Sequence, residues 1–272
     1  MARSRSRRGR AAAAPPVRVE TSQGPAELLT DPADPAVRVL LIGGLEASRV
    51  DLADPARLPL DYLHRLGVAL DVLVPRSAPC EVVHVGGGAF ALPRFLAATR
   101  PLARQEIYEL EPAVVELARV HLRLRRSPAL RVRVGDAAAL LARRGDASAD
   151  VVVGDAFVGT EVPAHLAGPG FVRDVHRVLR PGGVHLVNVV DAPPFVAGRR
   201  LAALLAGAFG DVLAFGAREV VQGRRAGNLL LAASDAELPR ERLARALAGG
   251  PHPGLVADRQ ALSSTTHVHP RN

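Results

Sequence analysis

Val82-Val83-His84-Val85-Gly86-Gly87-Gly88-Ala89-Phe90 carries an apolar run into three glycines. Tyr108-Glu109-Leu110-Glu111 closes a second apolar run about twenty residues later, the distance at which a nucleotide-binding sheet places its ribose-binding acid. Glycines let a ligand approach the backbone where a side chain would block it. An acid at the tip of the next strand accepts hydrogen bonds from two ribose hydroxyls. Gly86-Gly87-Gly88-Ala89-Phe90-Ala91 lacks the last glycine of a dinucleotide fingerprint. The pattern points to a nucleoside-bearing sulfonium, S-adenosylmethionine or a close relative, rather than a pyrophosphate such as NAD.

Elements alternate outward from this stretch. Strands are expected at Val82–Val85, Gln105–Tyr108, Arg131–Val134, Asp150–Val153 and Val184–Val190. Helices fall between them, one opening at Glu111-Pro112 with proline suitably in its first turn. Continuous apolar strands alternating with helices predict an α/β, mostly parallel, doubly wound sheet of Rossmann-like methyltransferase type. Two further strands, near Val212–Phe215 and Asn228–Ala232, are expected to form an antiparallel hairpin at one end. Before the sheet, short runs broken by Asp31-Pro32-Ala33-Asp34-Pro35 and Gly43-Gly44 predict a small antiparallel β lobe. The organisation expected is a tail over 1–16, the β lobe over 17–58, the nucleoside-binding domain over 59–262 and a frayed tail over 263–272.

At 272 residues and 48% hydrophobic, the chain can build one sizeable core with a small appended domain. The net charge of +8 is concentrated early: Arg3, Arg5, Arg7, Arg8 and Arg10 all precede the first acid, Glu20. That tail reads as a solvated end; association with nucleic acid is the weaker alternative. Aromatic residues make up only 3%, too few for single-strand stacking platforms. Cys80 is the only cysteine, which excludes an intramolecular disulfide and fits a cytoplasmic setting. No apolar run reaches the ~20 residues of a membrane span. No metal is expected: the histidines show no HExxH spacing, and His267-Val268-His269 reads as solvated.

Four successive strand ends carry ligand-ready residues: Gly86-Gly87-Gly88, then Glu109 with Glu111, then Gly135-Asp136-Ala137, then Gly154-Asp155-Ala156. Glu109 suits ribose hydroxyls. Asp136 suits an adenine amino group beside the Ala137 amide, or else simply caps the helix that follows. Asp155 lies where the reacting centre of the ligand would be, or else caps a loop. Glu111 reads as a helix-start charge. His84, inside a strand, reads as a core residue.

These segments resemble the spermidine synthase family, the polyamine aminopropyltransferases, over about Val17 to Ala233. The family's Gly-Gly-Gly-Asp-Gly-Gly is matched by Gly86 to Ala91, its Val-Glu-x-Asp by Tyr108 to Glu111, its Gly-Asp-Ala by Gly135-Asp136-Ala137, and its Asp-ended strand by Val153-Gly154-Asp155. The stretch from Phe171 to Pro181-Gly182-Gly183 is also similar. The resemblance implies decarboxylated S-adenosylmethionine or S-adenosylmethionine as co-substrate, held by Gly86, Gly87, Gly88, Glu109, Asp136 and Ala137. It implies a place in polyamine biosynthesis, a small-molecule amine as acceptor, and a homodimer through the β lobe. Departures stand beside the matches. Ala89 replaces the aspartate of the glycine run. Asp155-Ala156-Phe157-Val158-Gly159 stands where the family has Asp-Ser-Ser-Asp-Pro, whose second aspartate holds and deprotonates the attacking amine. Tyr62-Leu63-His64 keeps only the tyrosine of Tyr-His-Glu. Asp155 and Tyr62 are therefore the expected catalytic residues, with Glu161 or His165 able to approach from the following loop. Aminopropyl transfer, methyl transfer from S-adenosylmethionine and binding without catalysis remain the three functions this sequence accommodates.

Overall fold

The computed structural model describes residues 16–258. The Arg-rich segment through Arg10 and the segment from Ser263, with His267 and His269, lie outside the described residues. Four strands come first: β1 (Val17–Thr21), β2 (Gly24–Thr30), β3 (Val37–Ile42) and β4 (Leu45–Asp51). They pair antiparallel in chain order. Gly43 and Gly44 form the two-residue turn between β3 and β4 with φ of 56° and 80°, a turn whose two positive φ values favour glycine at both positions. The Asp31–Pro35 separator is a turn held by the Asp31 carboxylate, which accepts from the Ala33 and Asp34 amides.

The second unit runs α1 (Asp61–Leu73), β5 (Cys80–Val85), α2 (Ala91–Thr99), β6 (Ala103–Glu109), α3 (Pro112–His121), β7 (Leu130–Val134), α4 (Ala137–Ala142), β8 (Ala149–Gly154), α5 (Pro169–Val178), β9 (Leu179–Asp191), α6 (Val196–Ala208), β10 (Asp211–Gly216), α7 (Arg218–Val221), β11 (Gly227–Ser234), α8 (Arg240–Ala248) and β12 (Leu255–Asp258). Its strands lie in the order β12-β10-β11-β9-β8-β5-β6-β7. β9, β8, β5, β6 and β7 are parallel, whereas β11, β10 and β12 are joined by antiparallel pairings.

Strand periodicity decides which face each residue serves. Val82, Val151 and Val153 pack into one core with α1, α2, α3 and α8. Val83, Val85 and Val152 pack into the other, under α4, α5 and α6. Alternate side chains of a strand point to opposite faces, so a sheet covered on both sides needs both sets apolar. This is the doubly wound arrangement that the continuous apolar runs predict.

Two features differ from the sequence reading. Pro181-Gly182-Gly183 does not precede β9; it lies within it, where pairing with β8 shifts register and Gly182 takes φ of 77°. The sequence carries no clear signal for α7, α8 or β12. α8 buries only Leu243 and Leu247 among polar neighbours, and β12 spans four residues at the sheet edge.

Candidate functional site

The chain leaves β5 for β6 and β7 on one side and returns to β8 on the other. The carboxyl ends of β5 and β8 therefore flank the point where connections diverge, the place where such sheets bind ligands. A cavity of about 440 Å³ opens there, roofed by Ile42, Leu45, Glu46 and Ala47 of the β lobe. That volume lies within the usual range for small-molecule sites. Its floor includes Gly86, Gly88, Glu109, Asp136, Ala137 and Asp155.

Tyr62 and Asp155, the two expected catalytic residues, are in contact. The Tyr62 hydroxyl donates to Asp155 Oδ2 at 3.1 Å. The other carboxylate oxygen accepts from Asn188 Nδ2 at 2.9 Å. Asn188 is oriented in turn, because its Oδ1 accepts from Asn228 Nδ2 at 3.1 Å. Asp155 is half-buried by accessible surface but ringed by protein. Burial pushes its pKa up to about 6, against the Asn188 and Tyr62 hydrogen bonds that favour the anion. Burial, and then the adjacent Asp155 charge, hold the Tyr62 hydroxyl well above its ordinary range. Asn188 and Asn228 escaped the sequence reading: a lone asparagine in an apolar run carries no motif, and β9 and β11 are far apart in sequence.

The three glycines have separate reasons. Gly86 takes φ of 94°, and a Cβ there would collide with the Asp155 carbonyl, so it is required by strand packing before any ligand is considered. Gly87 faces a small recess rather than the main cavity, and its amide donates to Glu109 Oε2 at 2.8 Å. Gly88 lines the cavity with φ of 50°, close against Ser48. Glu109 also accepts from the Glu111 amide at 2.9 Å through Oε1. It is 8% exposed, and burial raises its pKa against these amide donors. Its two oxygens offer about four acceptor sites, more than the Gly87, Gly88 and Glu111 amides take up.

Asp136 caps α4, its Oδ1 accepting from the Ala139 amide at 2.8 Å. Its Oδ2 meets His165 Nε2 at 2.8 Å. Burial raises its pKa, but the Ala139 amide and His165 outweigh that and hold it below the ordinary value. The capping role left open by the sequence is thus present, and the residue still lines the cavity. His165 is engaged with Asp136 rather than with Asp155. Glu161 is exposed and does not line the cavity. Glu111 is more than a helix-start charge: buried, it accepts from the amide and hydroxyl of Ser22 at the β1–β2 turn, tying the lobe to α3.

Glu46, Asp61, Glu109, Glu111, Asp136 and Asp155 all line the cavity, and among the described residues no arginine does. The cavity lining is thus acidic although the chain carries a net charge of +8. His84 and His185 are buried core residues, bonded to Gln105 and to the Val152 carbonyl, and burial lowers both to about 4. Among the described residues there is no cluster of three metal-ligating side chains, and no helix is long and apolar enough to cross a membrane.

No family model matches the chain. A polyamine aminopropyltransferase of Vibrio vulnificus is 28% identical over 129 residues, 47% of this chain and 43% of that protein. An eEF1A lysine and N-terminal methyltransferase of Danio rerio is 28% identical over 132 residues, 45% of this chain and 19% of that protein. The chain thus spans less than half the length of either relative. A probable spermidine synthase from Corynebacterium glutamicum superimposes with a TM-score of 0.83 at 25% identity, covering 94% of this chain and 96% of that one. Human methyltransferase-like protein 13, solved in complex with SAH, superimposes with a TM-score of 0.56 at 22% identity, over 78% of this chain and 95% of that one. The order of glycine turn, acid-ended strand and Tyr–Asp pair, on a sheet capped by a β lobe, makes this chain spermidine synthase-like, with a methyltransferase-type Rossmann domain.

Proposed function

We propose that the protein transfers an aminopropyl group from decarboxylated S-adenosylmethionine to a small-molecule amine. The observation that carries this reading is the Tyr62–Asp155–Asn188 contact at the β8 end of an acidic cavity. The cavity fits such a co-substrate. Glu109 offers free lone pairs for ribose hydroxyls, Gly88 gives a side-chain-free wall, and the surrounding carboxylates favour a sulfonium.

The co-substrate supplies an electrophilic carbon next to a sulfonium: a C–N bond forms there, the C–S bond breaks, and its electron pair leaves on a neutral thioether. Asp155 takes the proton that the amine nitrogen loses. A carboxylate with a pKa of about 6 is ionised at neutral pH and is a stronger base than an ordinary aspartate. Tyr62 and Asn188 fix the carboxylate, one on each oxygen. Glu109 holds the glycine turn through the Gly87 amide, keeping Gly88 at the cavity wall.

Methyl transfer is the second reading, favoured by Val158 standing where the resembled loop has its amine-holding carboxylate. The nucleoside product separates the two. Incubation with each co-substrate and an amine panel, followed by chromatography, should yield methylthioadenosine from the decarboxylated form. S-adenosylhomocysteine from the intact form would assign methyl transfer instead.

A further inference from the structure

The recess that Gly87 faces has a volume of about 40 Å³, too small for a substrate and larger than one water needs. Tyr62, Gly88 and Asp155 line both the recess and the main cavity, so the two spaces meet at the Tyr62–Asp155 pair. Two polar side chains in its lining, Ser48 of β4 and His84 of β5, are buried, at 5% and 2% exposed. His84 shares a face of β5 with Val82, toward Leu63 of α1 and Leu92 and Pro93 of α2, which close the recess.

The tautomer of His84 follows from its neighbours. Gln105 Nε2 donates to the Pro93 carbonyl at 3.0 Å, which leaves Gln105 Oε1 facing His84 Nε2 at 2.9 Å. Oε1 only accepts, so Nε2 carries the hydrogen. Burial lowers the ring's pKa to about 4, so at neutral pH Nδ1 is a bare acceptor. The two ring nitrogens point apart, and no described residue donates to Nδ1. The Ser48 hydroxyl, against Gly88, has no hydrogen-bond partner among the described residues either. A carboxylate offers about four acceptor sites, and on Asp155 Tyr62 and Asn188 fill two. Water is the usual partner of buried polar groups that the protein leaves unpaired.

Resting on Asp155 as the base of the proposed reaction, we infer that the recess holds an ordered water. It donates to His84 Nδ1 and to the Asp155 carboxylate and accepts from the Ser48 hydroxyl. Through it His84 is a positioning residue that stabilises the Asp155 anion. The other carboxylates beside Tyr62 are Glu46, whose charge acts on it, and Asp61, its neighbour in α1; neither hydrogen-bonds Asp155.

The test titrates isotope-labelled aspartate carboxyls by NMR, with Asp155→Asn assigning the Asp155 signal, and needs no turnover. Glutamine sets an amide nitrogen where Nε2 stands, and asparagine an oxygen where Nδ1 stands. His84→Gln thus keeps the donor to Gln105 and loses the acceptor toward the recess; His84→Asn does the reverse. His84→Gln is expected to raise the Asp155 midpoint by about one pH unit, the effect of one hydrogen bond to a charged group, and His84→Asn to leave it near that of the unmodified protein. An unchanged midpoint in His84→Gln, or equal shifts in both variants, overturns the inference. Should both variants unfold, Ser48→Ala, which deletes one hydroxyl, is read instead: a raised midpoint supports the inference and an unchanged one overturns it. The expected midpoints in a protein that transfers no group support the inference and contradict the transfer reading, so the two fail separately.

Discussion

The Tyr62 hydroxyl reaches Asp155 Oδ2 at 3.1 Å across 93 residues of chain, joining the first turn of α1 to the carboxyl end of β8. A phenol donating to a carboxylate stabilises the anion and fixes its plane. In the proposed reaction this contact, with that of Asn188, holds Asp155 in place as the base.

Removing the base should abolish most of the rate. Asp155→Asn is expected to lower kcat by ~10²- to 10⁴-fold while leaving nucleoside affinity within a small factor. Tyr62→Phe deletes one hydrogen bond to a charged group and should cost roughly 10- to 100-fold. Steady-state kinetics with calorimetric binding distinguishes these from misfolding, which would remove binding as well.

The pH profile should show an acid limb near 6. Below it Asp155 is protonated and cannot accept the amine proton; above it the anion is present. Asn188→Ala removes a donor that favours the anion, so its limb should move to higher pH. The stability effect has the opposite sense to the usual carboxylate. Because burial raises this pKa in the folded state, Asp155 contributes more stability when protonated, and that contribution is lost as pH rises from 3.8 through about 6. Asp155→Asn should therefore flatten the dependence of Tm on pH across that window.

Glu111 joins the two units through Ser22. Glu111→Ala removes the hydrogen bonds that Ser22 donates to a charged group and should destabilise the protein by ~1–3 kcal/mol, read as a lower Tm. Ser22→Ala keeps the amide contact and should cost about 1 kcal/mol or less.

The parallel sheet and its site order were legible because each strand is an apolar run ending in a glycine or an acid. Local chemistry at Gly86, Glu109 and Asp155 sufficed. Several roles were not legible because they depend on which elements fold against one another. Asn188 and Asn228 acquire meaning only when β9 and β11 pair antiparallel, and the Glu111–Ser22 tie only when the β lobe docks on α3. The sequence presents Gly86 as room for a ligand, yet its first requirement is the Asp155 carbonyl across from it. The sequence brings His165 toward the reacting centre at Asp155, but its 3-10 turn at Ala164–Leu166 sets it beside Asp136 instead.

We propose that this cavity seats a sulfonium nucleoside with its ribose at Glu109. Calorimetric titration of the protein and of Glu109→Ala with decarboxylated S-adenosylmethionine, S-adenosylmethionine and methylthioadenosine tests it most directly. Saturable binding of the decarboxylated form is expected, tighter than that of the intact one, and weakened roughly 10- to 100-fold in the variant by loss of hydrogen bonds to a charged acceptor. Absence of binding by all three nucleosides, or equal affinity in Glu109→Ala, would contradict it.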